Sequence, residues 1–301
     1  MKKLYDIVIP MVTPLTDRDE VDVVSLEKMT DFLIEKGVDC LYPCGTTGEM
    51  AYLLDEERML VVETVVKRAA GRIPVFAQVG AANTASTIKL AQHAVACGAD
   101  GIGVVTPWYF QLSAKALEDF YVEVAASVPE DFPVYMYGIP QNAVNDITFD
   151  LAAKVAEKCK NVVGIKYSYP DMTRLQQLMT IRGGEFDVLV GPDHLYEAVV
   201  AVGGKGVVSG NAMIISEHYN AVRDAMAAND WALATKMQRK TNLLNGILCA
   251  KNNIGCYKVV LKEWGIIATS KMRKPMEEVS PEDAAALMAA LEAAEYQTPP
   301  C

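Results

Sequence analysis

The stretch Cys97-Gly98-Ala99-Asp100-Gly101-Ile102-Gly103-Val104-Val105-Thr106 turns a helix into a buried strand. Gly98 suits a helix stop, and the apolar run that follows is too short for a helix and rich in β-branched residues. The same phrase returns as Lys36-Gly37-Val38-Asp39 and Val202-Gly203-Gly204-Lys205, so one strand-launching unit repeats along the chain. Working outward, apolar runs recur at intervals of about 20 to 40 residues, each followed by a turn and a helical pattern, the mark of βα units. Strands are predicted at Asp6 to Pro10, Asp39 to Pro43, Pro74 to Val79, Asp100 to Thr106, Pro133 to Tyr137, Asn161 to Lys166, Asp187 to Val190 and Lys205 to Ser209. Among the helix signals, Asp55 suits an N-cap before Glu56 and Gly71 a stop before Pro74.

An open doubly wound sheet would carry a glycine fingerprint after its first strand, and Met11-Val12-Thr13-Pro14-Leu15 has no glycine. The α/β pattern therefore predicts a (β/α)8 TIM barrel over residues 1–224. Residues 225–301 read as C-terminal helices packed on that barrel, the last opened by Ser280 as N-cap with Pro281 behind it. No linker rich in Gly, Ser or Pro precedes them, so both parts form one structural unit.

The 301 residues are 51% hydrophobic and 22% charged, with no apolar stretch of membrane-spanning length. The start, Met1-Lys2-Lys3-Leu4-Tyr5-Asp6, meets an acid before a signal-peptide core develops, so a cytoplasmic protein is expected, without a membrane partner. Seven cysteines in no dense framework imply reduced thiols, and Cys40-x-x-x-Cys44 lacks the second ligand pair of a zinc site. The three histidines offer no ligand spacing either, so neither metal nor cofactor is expected. A formal charge of −10 with scattered basic residues argues against nucleic acid as a partner and leaves small-molecule substrates.

In a barrel of this kind the active site lies at the carboxyl ends of the strands. The sixth run, Asn161-Val162-Val163-Gly164-Ile165, ends in Lys166, where an ammonium loses solvation and an amine can become a carbonyl nucleophile. The plain alternative is a lysine that snorkels into solvent or pairs with a carboxylate. The fifth strand ends in Tyr137, a candidate proton shuttle or a core tyrosine with its hydroxyl at the rim. The second strand runs into Gly45-Thr46-Thr47-Gly48-Glu49, which is either a carboxylate cradle of amides and hydroxyls or a polar turn that satisfies itself. A Schiff-base aldolase needs an amine, a proton shuttle and carboxylate donors, and Lys166, Tyr137 and Thr46-Thr47 supply these three parts on strands that a barrel makes converge.

Those motifs, with Tyr137-Gly138-Ile139-Pro140 and Gly164-Ile165-Lys166 in order and spacing, make the chain resemble the dihydrodipicolinate synthase and N-acetylneuraminate lyase family. The resemblance runs from Ile9-Pro10-Met11-Val12-Thr13-Pro14 to the terminal helices. It implies a class I pyruvate-dependent aldolase, a carbon–carbon lyase with Lys166 as the Schiff-base lysine, Tyr137 as acid/base and Thr46 as proton relay. It also implies that amides at Thr46 and Thr47 hold the pyruvyl carboxylate. Tyr109 matches the tyrosine that reaches into a neighbouring subunit's site, which implies a homotetramer built of tight dimers.

The positions that read the second substrate fit neither namesake. The synthase branch carries a carboxylate-gripping arginine where this chain has Asn142, and an amide cannot form a bidentate charge-assisted pair. Ser168, after Lys166 and Tyr167, is similar to the hydroxyl of sialic-acid lyases. In Gly191-Pro192-Asp193-His194 the lyase acid is kept at Asp193, and His194 replaces the second acid or caps the next helix. Gly210 stands where lyases have serine, and Val208 sits beside it on the eighth strand. These residues lead us to expect a polyol-bearing substrate such as a 2-keto-3-deoxy sugar acid or a sialic-acid-like molecule. The alternatives are 4-hydroxy-tetrahydrodipicolinate synthase, which Asn142 disfavours, and a catalytically silent barrel that binds a keto acid.

Overall fold

The apolar runs become strands β1 (Asp6–Ile9), β2 (Cys40–Leu41), β3 (Phe76–Gln78), β4 (Gly101–Val105), β5 (Val134–Gly138), β6 (Val162–Tyr167), β7 (Asp187–Val190) and β8 (Gly206–Val208). The computed structural model describes residues 2–249, 254–294 and Tyr296. The strands pair in parallel in the order β2-β1-β8-β7-β6-β5-β4-β3, and a parallel bridge between Leu41 and Val75 joins the two remaining edges. The sheet thus closes into a (β/α)8 TIM barrel. Both faces of each strand are covered, which is why β4 and β6 are buried at every position and read as unbroken apolar runs.

Helices α1 (Val23–Glu35), α2 (Asp55–Ala69), α3 (Thr84–Ala96), α4 (Ala114–Ala126), the single turn α5 (Pro140–Ala143), α6 (Phe149–Lys158), α7 (Met172–Leu178), α8 (Tyr196–Ala201) and α9 (Ser216–Ala227) alternate with the strands. Gly37 and Gly98 follow α1 and α3 with φ of 71° and 84°, the left-handed conformation that ends a helix at little steric cost. Asp55 departs from the expected cap: it is the first residue of α2. Leu54 is the cap, and its N–H donates to Glu57 Oε2 at 2.8 Å, so a carboxylate one turn inside satisfies the helix start.

Beyond α9 follow α10 (Trp231–Leu248), α11 (Gly255–Glu263) and α12 (Pro281–Ala293). Ser280 Oγ accepts the Asp283 N–H at 3.1 Å, with Pro281 in the first helical position. These helices are fastened to the barrel. The Lys28 ammonium donates to Gly265 O at 2.6 Å, the Trp264 ring packs on Phe32 at 6.1 Å, and the Tyr296 hydroxyl donates to Ile214 O at 2.6 Å. Among the described residues, no helix is long and apolar enough to cross a membrane.

A small apolar cluster of Met50, Val105, Tyr137, Ile139 and Ala143 lies at the carboxyl end, and two larger layers make up the rest of the core. One lies between sheet and helices, and the other fills the barrel with Val8, Cys40, Tyr42, Phe76, Tyr135, Val163, Leu189 and Val208. The amino end is plugged by Leu4, whose N–H donates to the Tyr135 hydroxyl at 3.0 Å. That hydroxyl in turn donates to the buried Asp187 carboxylate at 2.9 Å, and Lys3 pairs with the same carboxylate at 3.1 Å. With one end sealed, access to the barrel interior is from the carboxyl ends of the strands.

Candidate active site

Parallel register places Tyr137 on β5 beside Lys166 on β6. Tyr135 and Tyr137 are two residues apart on one strand and share its inward face, and the neighbouring lysine shares it with them. Lys166 is 4% exposed, so it does not snorkel. Its Nζ sits 4.0 Å from the centroid of the Tyr137 ring and 5.4 Å from that of Tyr42. Among the described residues no carboxylate pairs with it. The ring faces supply some compensation for the lost hydration of a cation, but far less than a carboxylate would.

The Tyr42 ring closes the space below the lysine. It fits there because β4 carries Gly103 opposite: a Cβ at that position would fall 1.7 Å from the Tyr42 hydroxyl oxygen. Burial pushes the Tyr42 phenol well above its ordinary pKa, so it stays neutral.

Tyr137 Oη and Thr46 Oγ1 are 3.0 Å apart, a hydrogen bond between β5 and the turn after β2. The turn is closed by Gly48 N–H to Gly45 O at 3.0 Å and by Glu49 N–H to Thr46 O at 3.1 Å. Among the described residues, the N–H groups of Thr46 and Thr47 donate to no protein acceptor. Thr46 therefore spends its hydroxyl on Tyr137 and leaves two adjacent amides for an anion. An open cavity of about 880 Å³ adjoins Thr46, walled by Met50, Val105, Trp108, Ile139 and Asn142, with Ile254, Met276 and Glu277 from the C-terminal part. Among the described residues no lysine or arginine lines it. No three histidine, cysteine or carboxylate side chains of the described residues converge as a metal site would need.

Of the other candidate residues, Ser168 and Gly191 come together. Ser168 packs against Gly191, where a Cβ would fall 2.1 Å from Ser168 Oγ. Val208 belongs to the barrel filling, and Gly210 lies against the Tyr257 ring. The Asp193 carboxylate turns inward: Oδ2 accepts from Asn211 Nδ2 at 2.6 Å, and the Ser209 and Tyr219 hydroxyls face the same carboxylate. Burial pushes its pKa up. His194 is exposed and caps neither the short turn it lies in nor α8. Tyr109 is 80% exposed, with φ of 81° and its ring edge-on to Phe110 at 4.9 Å.

A model of the dihydrodipicolinate synthetase family matches residues 3–294. This chain belongs to that family. Members of the dihydrodipicolinate synthetase family are class I aldolases and carbon–carbon lyases, and this protein is such an enzyme. The 4-hydroxy-tetrahydrodipicolinate synthase of Aquifex aeolicus (strain VF5) is 33% identical over 276 residues, 92% of each chain. YagE, a prophage protein of the dihydrodipicolinic acid synthase family from E. coli K12 whose crystal structure holds pyruvate, superposes with a TM-score of 0.91. That match is 26% identical and covers 97% of this chain and 99% of YagE. A catalytic-lysine mutant of Ruminococcus gnavus sialic acid aldolase gives a TM-score of 0.91 at 25% identity, covering 98% of this chain and 97% of the aldolase.

One buried ion pair of this dihydrodipicolinate synthetase family member lies outside the residues expected from the sequence. Lys258 on α11 is 0% exposed and forms an ion pair with Glu49, itself 1% exposed, at the end of the threonine turn. The signal was present: Lys258 interrupts the apolar run Cys256-Tyr257-Lys258-Val259-Val260-Leu261, as Lys166 ends its own.

Proposed function

We propose that the enzyme forms a Schiff base between Lys166 and the keto carbon of pyruvate, and that its aldehyde half is an uncharged, hydroxyl-bearing chain, as in a 2-keto-3-deoxy sugar acid. The observation that carries this reading is the buried Lys166 against Tyr137, whose hydroxyl bonds to Thr46. In the cleavage direction the lysine amine adds to the keto carbon, and loss of water gives an iminium. The hydroxyl at C4 gives up its proton to Tyr137, the C3–C4 bond breaks, and its electron pair enters the iminium to form an enamine. Protonation at C3 and hydrolysis release pyruvate and restore the amine. Thr46 relays the proton from Tyr137 towards the mouth, and the free amides of Thr46 and Thr47 hold the carboxylate. Tyr109, exposed on its loop, extends the relay from a neighbouring subunit of a homotetramer in the cytoplasm.

The pyruvyl half draws support from YagE with pyruvate and from the sialic acid aldolase with its catalytic lysine. For the aldehyde half, the wall around Asn142, in which no described residue is a lysine or arginine, supports an uncharged chain over one ending in a carboxylate. A second reading, 4-hydroxy-tetrahydrodipicolinate synthase, is favoured by the name carried by the curated relatives. Borohydride reduction with pyruvate, followed by mass spectrometry, tests the first step: a pyruvyl adduct on the Lys166 peptide is expected, and Lys166→Met should abolish it. Folded protein without any adduct would leave only a silent keto-acid-binding barrel. Side-by-side turnover of aspartate semialdehyde and a panel of 2-keto-3-deoxy acids separates the two readings, and efficient dihydrodipicolinate formation would establish the synthase.

A further inference from the structure

The most deeply buried ion pair near the threonine turn joins Glu49 to Lys258. The Lys258 ammonium contacts Glu49 Oε1 as an ion pair and donates to Lys271 O at 2.6 Å. Glu49 Oε2 accepts the Arg273 N–H at 2.6 Å. The Arg273 guanidinium continues outward to Glu57 Oε1 at 2.7 Å, on the first turn of α2. One carboxylate is thus held from α11 and from the 271–273 segment together.

The same residue holds the turn. Glu49 adopts φ 61° and ψ 28°, a left-handed backbone that a residue with a Cβ occupies at a cost, and its N–H closes onto Thr46 O. Release of the side chain lets the backbone relax, and Thr46 and Thr47 move with it. A buried pair of this kind is often no more stabilising than apolar residues of equal volume. Its Glu49 member follows Thr46 and Thr47 in the same turn, and this placement suggests a positional task.

We infer that the Glu49–Lys258 pair, anchored by the 271–273 segment, positions the Thr46-Thr47 turn for the pyruvyl carboxylate. Lys258 does not line the cavity beside Thr46, whereas Glu49 borders it, and both act as positioning residues that make the C-terminal part a component of the active site. The inference rests on the Schiff-base reading for its effect on pyruvate, and not for its effect on the turn. Two variants test it. Glu49→Gln/Lys258→Met removes both charges together and leaves no unpaired ion in the core. Lys258→Arg keeps the charge, but its planar fork cannot reach the carboxylate and the Lys271 carbonyl as an ammonium does.

Hydrogen exchange by mass spectrometry on unliganded protein reads the turn without any substrate. Peptides covering residues 45–50 should exchange at least about tenfold faster in the double variant, and less so in Lys258→Arg, while β4 to β6 keep their protection. Borohydride trapping should then need at least about tenfold more pyruvate for half-maximal labelling, with every site still labelled at saturation. Unchanged exchange in the turn of either folded variant overturns the inference, as does a loss of labelled sites with half-saturation unmoved. Faster exchange with unchanged pyruvate dependence would uphold the positioning of the turn and refute the carboxylate cradle instead.

Discussion

Replacing Tyr137 by phenylalanine separates chemistry from packing more cleanly than any other change at the site. Phenylalanine keeps the ring that lies 4.0 Å from Lys166 Nζ and deletes one hydroxyl, whose partner Thr46 Oγ1 is 3.0 Å away. Thr46 is only partly buried, so water can take the vacated bond. The stability loss should be about 1 kcal/mol, a fall in melting temperature of about 2 to 4 °C. If the hydroxyl moves protons in the reaction, its loss should slow the chemistry by about 10²- to 10⁴-fold, or about 2.7 to 5.4 kcal/mol of barrier. The catalytic effect therefore exceeds the structural one severalfold. Exchange of the C3 protons of pyruvate for deuterium, followed by NMR, measures it without knowledge of the aldehyde, because exchange requires the iminium and the enamine. A folded Tyr137→Phe variant that exchanges within about threefold of the unaltered enzyme would refute the role of the phenol.

Three further outcomes are expected. Asn142→Arg should improve kcat/KM on aspartate semialdehyde by about tenfold to a hundredfold, the size of one charge-assisted pair, and no gain would place the aldehyde away from that wall. Because burial raises the Asp193 pKa, that side chain's contribution to stability is fully present below its unfolded pKa and is lost as the pH rises through the folded one. Asp193→Asn should thus gain in melting temperature relative to the unaltered protein as the pH rises above about 4, the unfolded carboxylate range, and a pH-independent difference would contradict the burial argument. Lys166→Met should melt within about 2 °C of the unaltered protein, and a large loss would mean that the amine is a structural element.

The barrel was legible because its units repeat: parallel strands buried on both faces leave apolar runs, and the glycines after α1 and α3 mark where strands begin. Lys166 and Tyr137 were legible for the same reason, since a strand end in a barrel is a defined place. The inward turn of the Asp193 carboxylate was not, because it depends on Asn211, on the next loop. Strand periodicity says nothing about which way such a carboxylate turns. Lys258 could have been found by the argument used for Lys166, but a helix has no strand end to draw attention to it.

Gly103 has no side chain beyond hydrogen and a large say in the site. By yielding its space to the Tyr42 ring, it fixes the height of a floor on which the amine rests. The reacting carbon can descend no further than that floor permits. The vertical coordinate of the reaction is in this sense written on β4, by an atom that is missing there.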